Sequence, residues 1–259
     1  MFNVTPIPAF SDNYIWCIHR VGEQRAYVVD PGDGEAVITA LTNQGLCLAG
    51  IVITHHHFDH TGGIDSLLAH KDVPVFGPHN PAIEHISQRL GHGDKVALLG
   101  AEWDVLEVPG HTLDHIAFFH APEDAAPLLF CGDTLFAGGC GRVFEGDAAM
   151  MLDSLDRLAA LPDATRIFCA HEYTLANLRF AAAVEPDNTA LQERIERDQA
   201  TRNRGIPTVP STLGIERQTN PFLRCRESSV VASMVARDSL DGSDPVAVFA
   251  AVRGWKDNF

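Results

Sequence analysis

Thr54-His55-His56-His57-Phe58-Asp59-His60 is the stretch that decides how this 259-residue chain is read. It packs His-x-His-x-Asp-His into one short turn, directly after the apolar run Ala49-Gly50-Ile51-Val52-Ile53, which predicts a buried strand. Imidazole nitrogen and carboxylate oxygen are the ligands that zinc, ferrous iron and similar borderline cations take. In extended or irregular backbone, side chains two apart point the same way, so His55 and His57 can grip one ion together. Asp59 and His60 then face elsewhere and can serve a second. A solvated histidine-rich loop is the competing reading, because 13 histidines are spread along the chain.

Ligand types found further along weigh against that reading. Pro109-Gly110-His111-Thr112, Gly132-Asp133-Thr134 and Ala170-His171-Glu172 each follow an apolar, strand-like run. Strand ends are where an α/β sheet presents its chemistry. Any one of these residues alone reads as a hydrogen-bonded loop side chain. Joined to the turn, they make a set of five histidines and two aspartates. A dinuclear site takes about three protein ligands per metal and a shared bridge, with the metals roughly 3.5–4 Å apart. A carboxylate bridges through its two oxygens and an imidazole does not, so Asp133 is the natural bridge. His56, between two ligands, is expected to point away. His19, His70, His79, His85, His92, His115 and His120 read as surface or packed side chains.

Composition excludes several partners. Net charge is −15, from 19 basic and 34 acidic residues, a field that repels nucleic acid and anionic membranes. No apolar run approaches the ~20 residues of a membrane span, and the start Met1-Phe2-Asn3-Val4-Thr5-Pro6 lacks the pattern of a secretory signal. The six cysteines form no Cys-x-x-Cys pair, and several lie in apolar runs as buried thiols of a reducing compartment. A cytoplasmic monomer is expected.

Short strands and turns alternate along the first two thirds: 14–19, 26–29, 47–53, 105–108, 116–119, 128–131 and 166–169, with helices at 36–44, 63–70 and 148–161. After His171 the pattern turns helical, over 175–184, 189–202, 228–238 and 245–252. The boundary falls near 172–174, giving a catalytic α/β domain over 1–173 and a helical domain over 174–259.

The order His55-x-His57-x-Asp59-His60, His111, Asp133, His171 resembles the metallo-β-lactamase superfamily, whose fold is an αββα sandwich with metals at one edge. The resemblance narrows further along the chain. Cys131 to Phe136, Gly139 to Arg142, Phe144-Glu145-Gly146, His171-Glu172-Tyr173-Thr174, Thr219 to Arg224 and Arg253 to Asp257 are similar to glyoxalase II, the hydroxyacylglutathione hydrolases. That resemblance implies two divalent metals, zinc first and iron or manganese as alternatives. His55, His57 and His111 would hold one, Asp59, His60 and His171 the other, and Asp133 would bridge them. It implies that Asp30 orients a ligand histidine, although an aspartate in Val29-Asp30-Pro31-Gly32 also reads as a turn former. It maps glutathione contacts onto Arg142, Tyr173, Arg253 and Lys256, the last two reading otherwise as a solvated helix end. Where eukaryotic members have Lys and then Tyr, this chain has Arg142 and Phe144, so one hydroxyl contact is lost.

The implied reaction is hydrolysis of S-(2-hydroxyacyl)glutathione, typically S-D-lactoylglutathione in methylglyoxal detoxification, by a hydroxide shared between the metals. No serine or cysteine nucleophile sits in a suitable motif. The alternatives are a glutathione persulfide dioxygenase of the same fold, which uses one iron and fewer ligands, and a non-catalytic metal-binding protein. The intact Asp59-His60 and His171 set with the Arg253/Lys256 tail argues against the first, and the lack of any degenerate ligand against the second.

Overall fold

The apolar runs of the first half of the chain become strands whose neighbours are set by where the turns fall. In a computed structural model, which describes residues 1–238, 240, 242 and 244–259, the chain divides into two units, Met1–Glu107 with Asp114–Gly132, and Val108–Leu113 with Asp133–Phe259.

In the first unit the elements are β1 (Phe2–Ala9), β2 (Asn13–Arg20), β3 (Arg25–Val29), α1 (Gly34–Gln44), β4 (Cys47–Val52), α2 (Phe58–Thr61), α3 (Ile64–His70), β5 (Val75–Pro78), β6 (Gln88–Leu90), β7 (Lys95–Leu98), β8 (Ala101–Glu107), β9 (Ile116–His120) and β10 (Leu128–Gly132). Strands β1 to β6 lie side by side in chain order. The first three run antiparallel, and β3, β4, β5 and β6 are parallel neighbours. The parallel step from β3 to β4 needs a crossover, and α1 supplies it. Asp33 caps that helix by accepting from Ala36 N, and Gly45 ends it at φ 65°. Val37, Leu41, Ile64 and Leu67, from α1 and α3, share one core cluster with Ile15, Cys17, Val28, Ile51 and Ile53. Trp16 and Ile18 point to the opposite face and are also buried, so β2 is covered on both sides. Strands β7, β8, β9 and β10 neighbour one another antiparallel in a second sheet.

The pairing of Val29 with Val52 ends β3 and β4 at the same level, which sets Asp30 beside the His turn. Asp30 N donates to Val52 O at 2.8 Å. Strand β1 lies outside the predicted set: Pro6 and Pro8 interrupt its sequence pattern, yet proline is tolerated on an edge strand, where β1 sits.

The second unit contains the hairpin β11 (Leu135–Phe136) and β12 (Gly139–Cys140), then α4 (Ala148–Ala159), β13 (Arg166–Cys169), α5 (Thr174–Val184), α6 (Thr189–Asn203), β14 (Ser211–Thr212), α7 (Leu213–Thr219), α8 (Ser228–Asp238) and α9 (Pro245–Asp257). Phe222 is fully buried, with Phe180 and Phe249 ring centroids 6.1 and 5.7 Å away. Helix α9 runs past the expected end at Val252, so Arg253 and Lys256 are helical residues three apart. No helix among the described residues is long and apolar enough to cross a membrane. Cys17, Cys131, Cys140, Cys169 and Cys225 are buried thiols, whereas Cys47 is exposed. Burial pushes the Cys17 and Cys140 thiols up to about 11.

Candidate metal centre

The His turn changes backbone halfway along. Thr54 to His57 is non-helical, and α2 starts at Phe58, so Asp59 and His60 project from a helical turn rather than continuing the direction of His55 and His57. His55 Nε2 and His57 Nδ1 converge to 3.2 Å. Buried Asp30 braces the turn: its Oδ1 accepts from Thr54 N and its Oδ2 from Thr54 Oγ1, both at 2.7 Å. The same Oδ2 lies 3.0 Å from His60 Nδ1. A carboxylate there favours the proton on Nδ1 and so the lone pair on Nε2. His60 Nε2 sits 3.5 Å from Asp59 Oδ2, and Asn13 Nδ2 donates to that oxygen at 3.0 Å. Asp30 adopts φ 54°, a left-handed conformation that aspartate accepts more readily than most residues. His56 turns toward Asp114, its Nδ1 2.9 Å from Oδ1, and Asn80 donates to the other oxygen. His115 is packed, its ring stacked on His55 at 4.5 Å.

In the second unit, His111 and His171 both address Asp133. Their Nε2 atoms are 3.5 and 3.3 Å from Asp133 Oδ2, and all three residues are buried. His111 Nδ1 donates to Arg142 O at 2.8 Å, which fixes its tautomer. Gly141 permits this approach: a Cβ there would lie 2.0 Å from Asp133 O and 3.0 Å from His111 Nδ1. Tyr173 stacks on His171 with centroids 4.7 Å apart, and exposed Phe144 meets the His111 ring edge-on at 5.3 Å.

The expected glutathione contacts differ in their surroundings. Arg142 is exposed, its Nε 3.8 Å from Asp257 Oδ1. Arg253 is buried, stacks over Phe222 at 4.9 Å, and donates to Cys140 O and Asp257 Oδ1. Lys256 Nζ lies over the Phe180 ring at 5.3 Å. Burial lowers the Lys256 pKa, and the charges of Arg253, Arg179 and Arg142 lower it further. These four cations therefore form a local positive field within an acidic protein.

Among the described residues, the candidate donors fall into one set in each unit: His55, His57, Asp59 and His60 in the first, and His111, Asp133 and His171 in the second. A tetrahedral ion with bonds of about 2.05 Å keeps its ligands about 3.3 Å apart. The His55–His57, His60–Asp59, His111–Asp133 and His171–Asp133 separations run from 3.2 to 3.5 Å. Donor chemistry and spacing thus suit a pair of divalent cations. Sequence reasoning missed Asn13, Thr54 and the Asp114–Asn80 pair, which act on other side chains. Only tertiary proximity, absent from local pattern, reveals such partners.

Replacing Asp30 with Ala is expected to weaken metal binding about 10–100-fold, the usual penalty for losing a group that orients a ligand. Competition with a chelator measures it, and an unchanged dissociation constant would return Asp30 to a turn-forming role.

A family model described as the metallo-β-lactamase superfamily matches residues 12–171, and one described as the hydroxyacylglutathione hydrolase C-terminus matches 172–259. Hydroxyacylglutathione hydrolase from Albidiferax ferrireducens is 53% identical, with 98% of each chain covered. The protein of the same name from Chromohalobacter salexigens is 52% identical over 100% of both chains. Among solved structures, ETHE1 from Myxococcus xanthus shares the fold at TM-score 0.65 and 24% identity, covering 99% of this chain and 98% of that one. TTHA1623, solved in a di-iron-bound form, superposes at TM-score 0.60 and 27% identity, over 85% of this chain and 100% of that one. The fold is therefore of the metallo-β-lactamase type with a helical C-terminal region, and its His/Asp cluster is of the kind that uses two metals. Matched from end to end by hydroxyacylglutathione hydrolases, the chain belongs to that family of the metallo-β-lactamase superfamily.

Proposed function

We propose that this protein hydrolyses the thioester of S-(2-hydroxyacyl)glutathione, with S-D-lactoylglutathione as the typical substrate. Full-length similarity at about half identity to enzymes named for that reaction carries the reading. Water adds to the thioester carbonyl carbon, the carbon–sulfur bond breaks, and glutathione and the 2-hydroxy acid leave.

His55, His57 and His111 would hold one cation, Asp59, His60 and His171 the second, and Asp133 would bridge. Zinc is the first choice, with iron supported by the di-iron form of TTHA1623 and manganese compatible with the same donors. Two bound cations supply Lewis acidity, lowering the pKa of a water and stabilising charge on the carbonyl oxygen. The chain's own residues do the rest. Asp30 and Arg142 O fix the tautomers of His60 and His111. Asn13 holds the Asp59 carboxylate in place. The leaving thiol has a free pKa of about 8.5, so its departure needs little acid assistance.

Residues 174–259 act with Arg142 and Tyr173 as the glutathione-binding part, with Arg253 and Lys256 drawing in the anionic peptide. The protein is read as a cytoplasmic monomer, and the net charge of −15 supports the absence of nucleic-acid and anionic-membrane partners.

The test is hydrolysis of S-D-lactoylglutathione under anaerobic conditions, followed by thiol release. Oxygen uptake with glutathione persulfide, with thioesters left intact, would replace the hydrolase reading with the dioxygenase one. Lys256→Ala is expected to raise KM for glutathione thioesters about tenfold while changing kcat less, since one charge-assisted contact contributes roughly 1.5–3 kcal/mol. Equal losses on a small neutral thioester would mean that the tail supports the fold.

A further inference from the structure

We propose that Asp257 is a built-in occupant of the glutathione-carboxylate site and sets substrate affinity by competing with the incoming anion. This rests on the reading that Arg142, Arg253 and Lys256 receive glutathione. Asp257 Oδ1 accepts from Arg253 Nε at 3.1 Å and from its second terminal nitrogen at 2.9 Å. That edge of the guanidinium is one that grips a carboxylate. The same oxygen lies 3.8 Å from Arg142 Nε, so one internal carboxylate addresses two of the cations expected to face the substrate.

Asp257 is not needed to hold Arg253 in place. The guanidinium already donates to Cys140 O at 3.2 Å, stacks over Phe222 and is only 8% exposed. The position of Asp257 is otherwise unfavourable. It is the last residue of α9, where the helix dipole opposes a negative charge. What offsets that cost is the pair of cations it faces, Arg253 at 2.9 Å and Arg142 at 3.8 Å, while Arg179 adds to the positive charge around Lys256. Arg179 lies on α5, and Lys256 Nζ reaches Ala176 O of that helix at 3.5 Å. The carboxylate thus partly cancels a field that would otherwise attract anionic substrate.

The experiment compares Asp257→Asn with the unaltered full-length holoenzyme on S-D-lactoylglutathione and on a small thioester without the peptide. Removing one partly exposed charge is expected to lower KM for the glutathione thioester about three- to fivefold, with kcat changed less. The difference should fade in high salt. A raised or unchanged KM would overturn the proposal, as would an equal gain on the small thioester. Asp257→Ser carries the same expectation should the Asn variant fold poorly. Lys256→Ala is measured alongside. If it leaves KM for the glutathione thioester unchanged, the tail reading itself falls and takes this proposal with it. If it raises KM while Asp257→Asn does not lower it, only the competing role of Asp257 is lost.

Discussion

Asp133→Ala is expected to abolish turnover and to bring the metal content of the purified protein below two ions per chain. Asp133 Oδ2 faces His111 and His171 at 3.5 and 3.3 Å, and Asp133 is the proposed bridge to the cation held with Asp59 and His60. Its loss removes a ligand from both proposed sites and leaves imidazoles without the anion that balances two cations. The fall in kcat should exceed the ~10²–10³-fold that loss of a single oxyanion-stabilising group costs. Metal analysis and single-substrate kinetics on one preparation check both effects. A fully active variant, or an active wild-type enzyme with one ion per chain, would end the dinuclear model. Asp133→Asn separates charge from shape: with similar volume but no charge, it should lose metal nearly as badly.

Arg194→Ala is expected to destabilise the fold by roughly 3–5 kcal/mol, the cost of leaving a buried charge uncompensated. For a chain of this size that lowers Tm by roughly 6–20 °C. Arg194 is 2% exposed and donates to Glu216 Oε1 and Thr219 Oγ1, both at 2.6 Å, and to Asp198 Oδ2 at 3.2 Å. Glu216 is fully buried, and its other oxygen accepts from Gly138 N at 2.7 Å and from Asn220. Asn220 also donates to Phe136 O and Gly139 O, so the network ties α6 and α7 to the β11–β12 hairpin. That hairpin lies between Asp133 and Arg142 in the chain. Thermal unfolding reads the effect directly. A shift of less than about 2 °C would show that the pair contributes little beyond its own desolvation, as surface pairs do.

The proposed ligands were legible because their chemistry is local. A His-x-His-x-Asp-His turn after an apolar run identifies itself, and His111, Asp133 and His171 repeat the strand-end setting. What escaped was set by tertiary pairing. The sequence around Asp30 permits a turn former and a ligand brace equally, and only the register of Val29 against Val52 brings the carboxylate to Thr54 and His60. Helix α2 occupies the second half of a stretch that pattern alone reads as a turn, because its four residues are too few for a helical period. Helix α9 outruns its apolar pattern at Gly254, carried on by packing such as that of Trp255 against Phe180. Arg253 read as a solvated or substrate-facing cation, yet its planar group is stacked and buried. A guanidinium can serve packing and charge together, and composition does not separate the two.

The prolines of β1 bear on how the protein behaves when concentrated. An edge strand offers unpaired N–H and C=O groups that can template another chain. Strand β1 pairs with β2 along Phe2–Ala9, so Pro6 and Pro8 fall where a donor would point away from the sheet. With those two donors missing, a foreign strand cannot complete a ladder along this margin. The same imino acids that hid the strand from pattern reading thus act as a guard against edge-to-edge polymerisation.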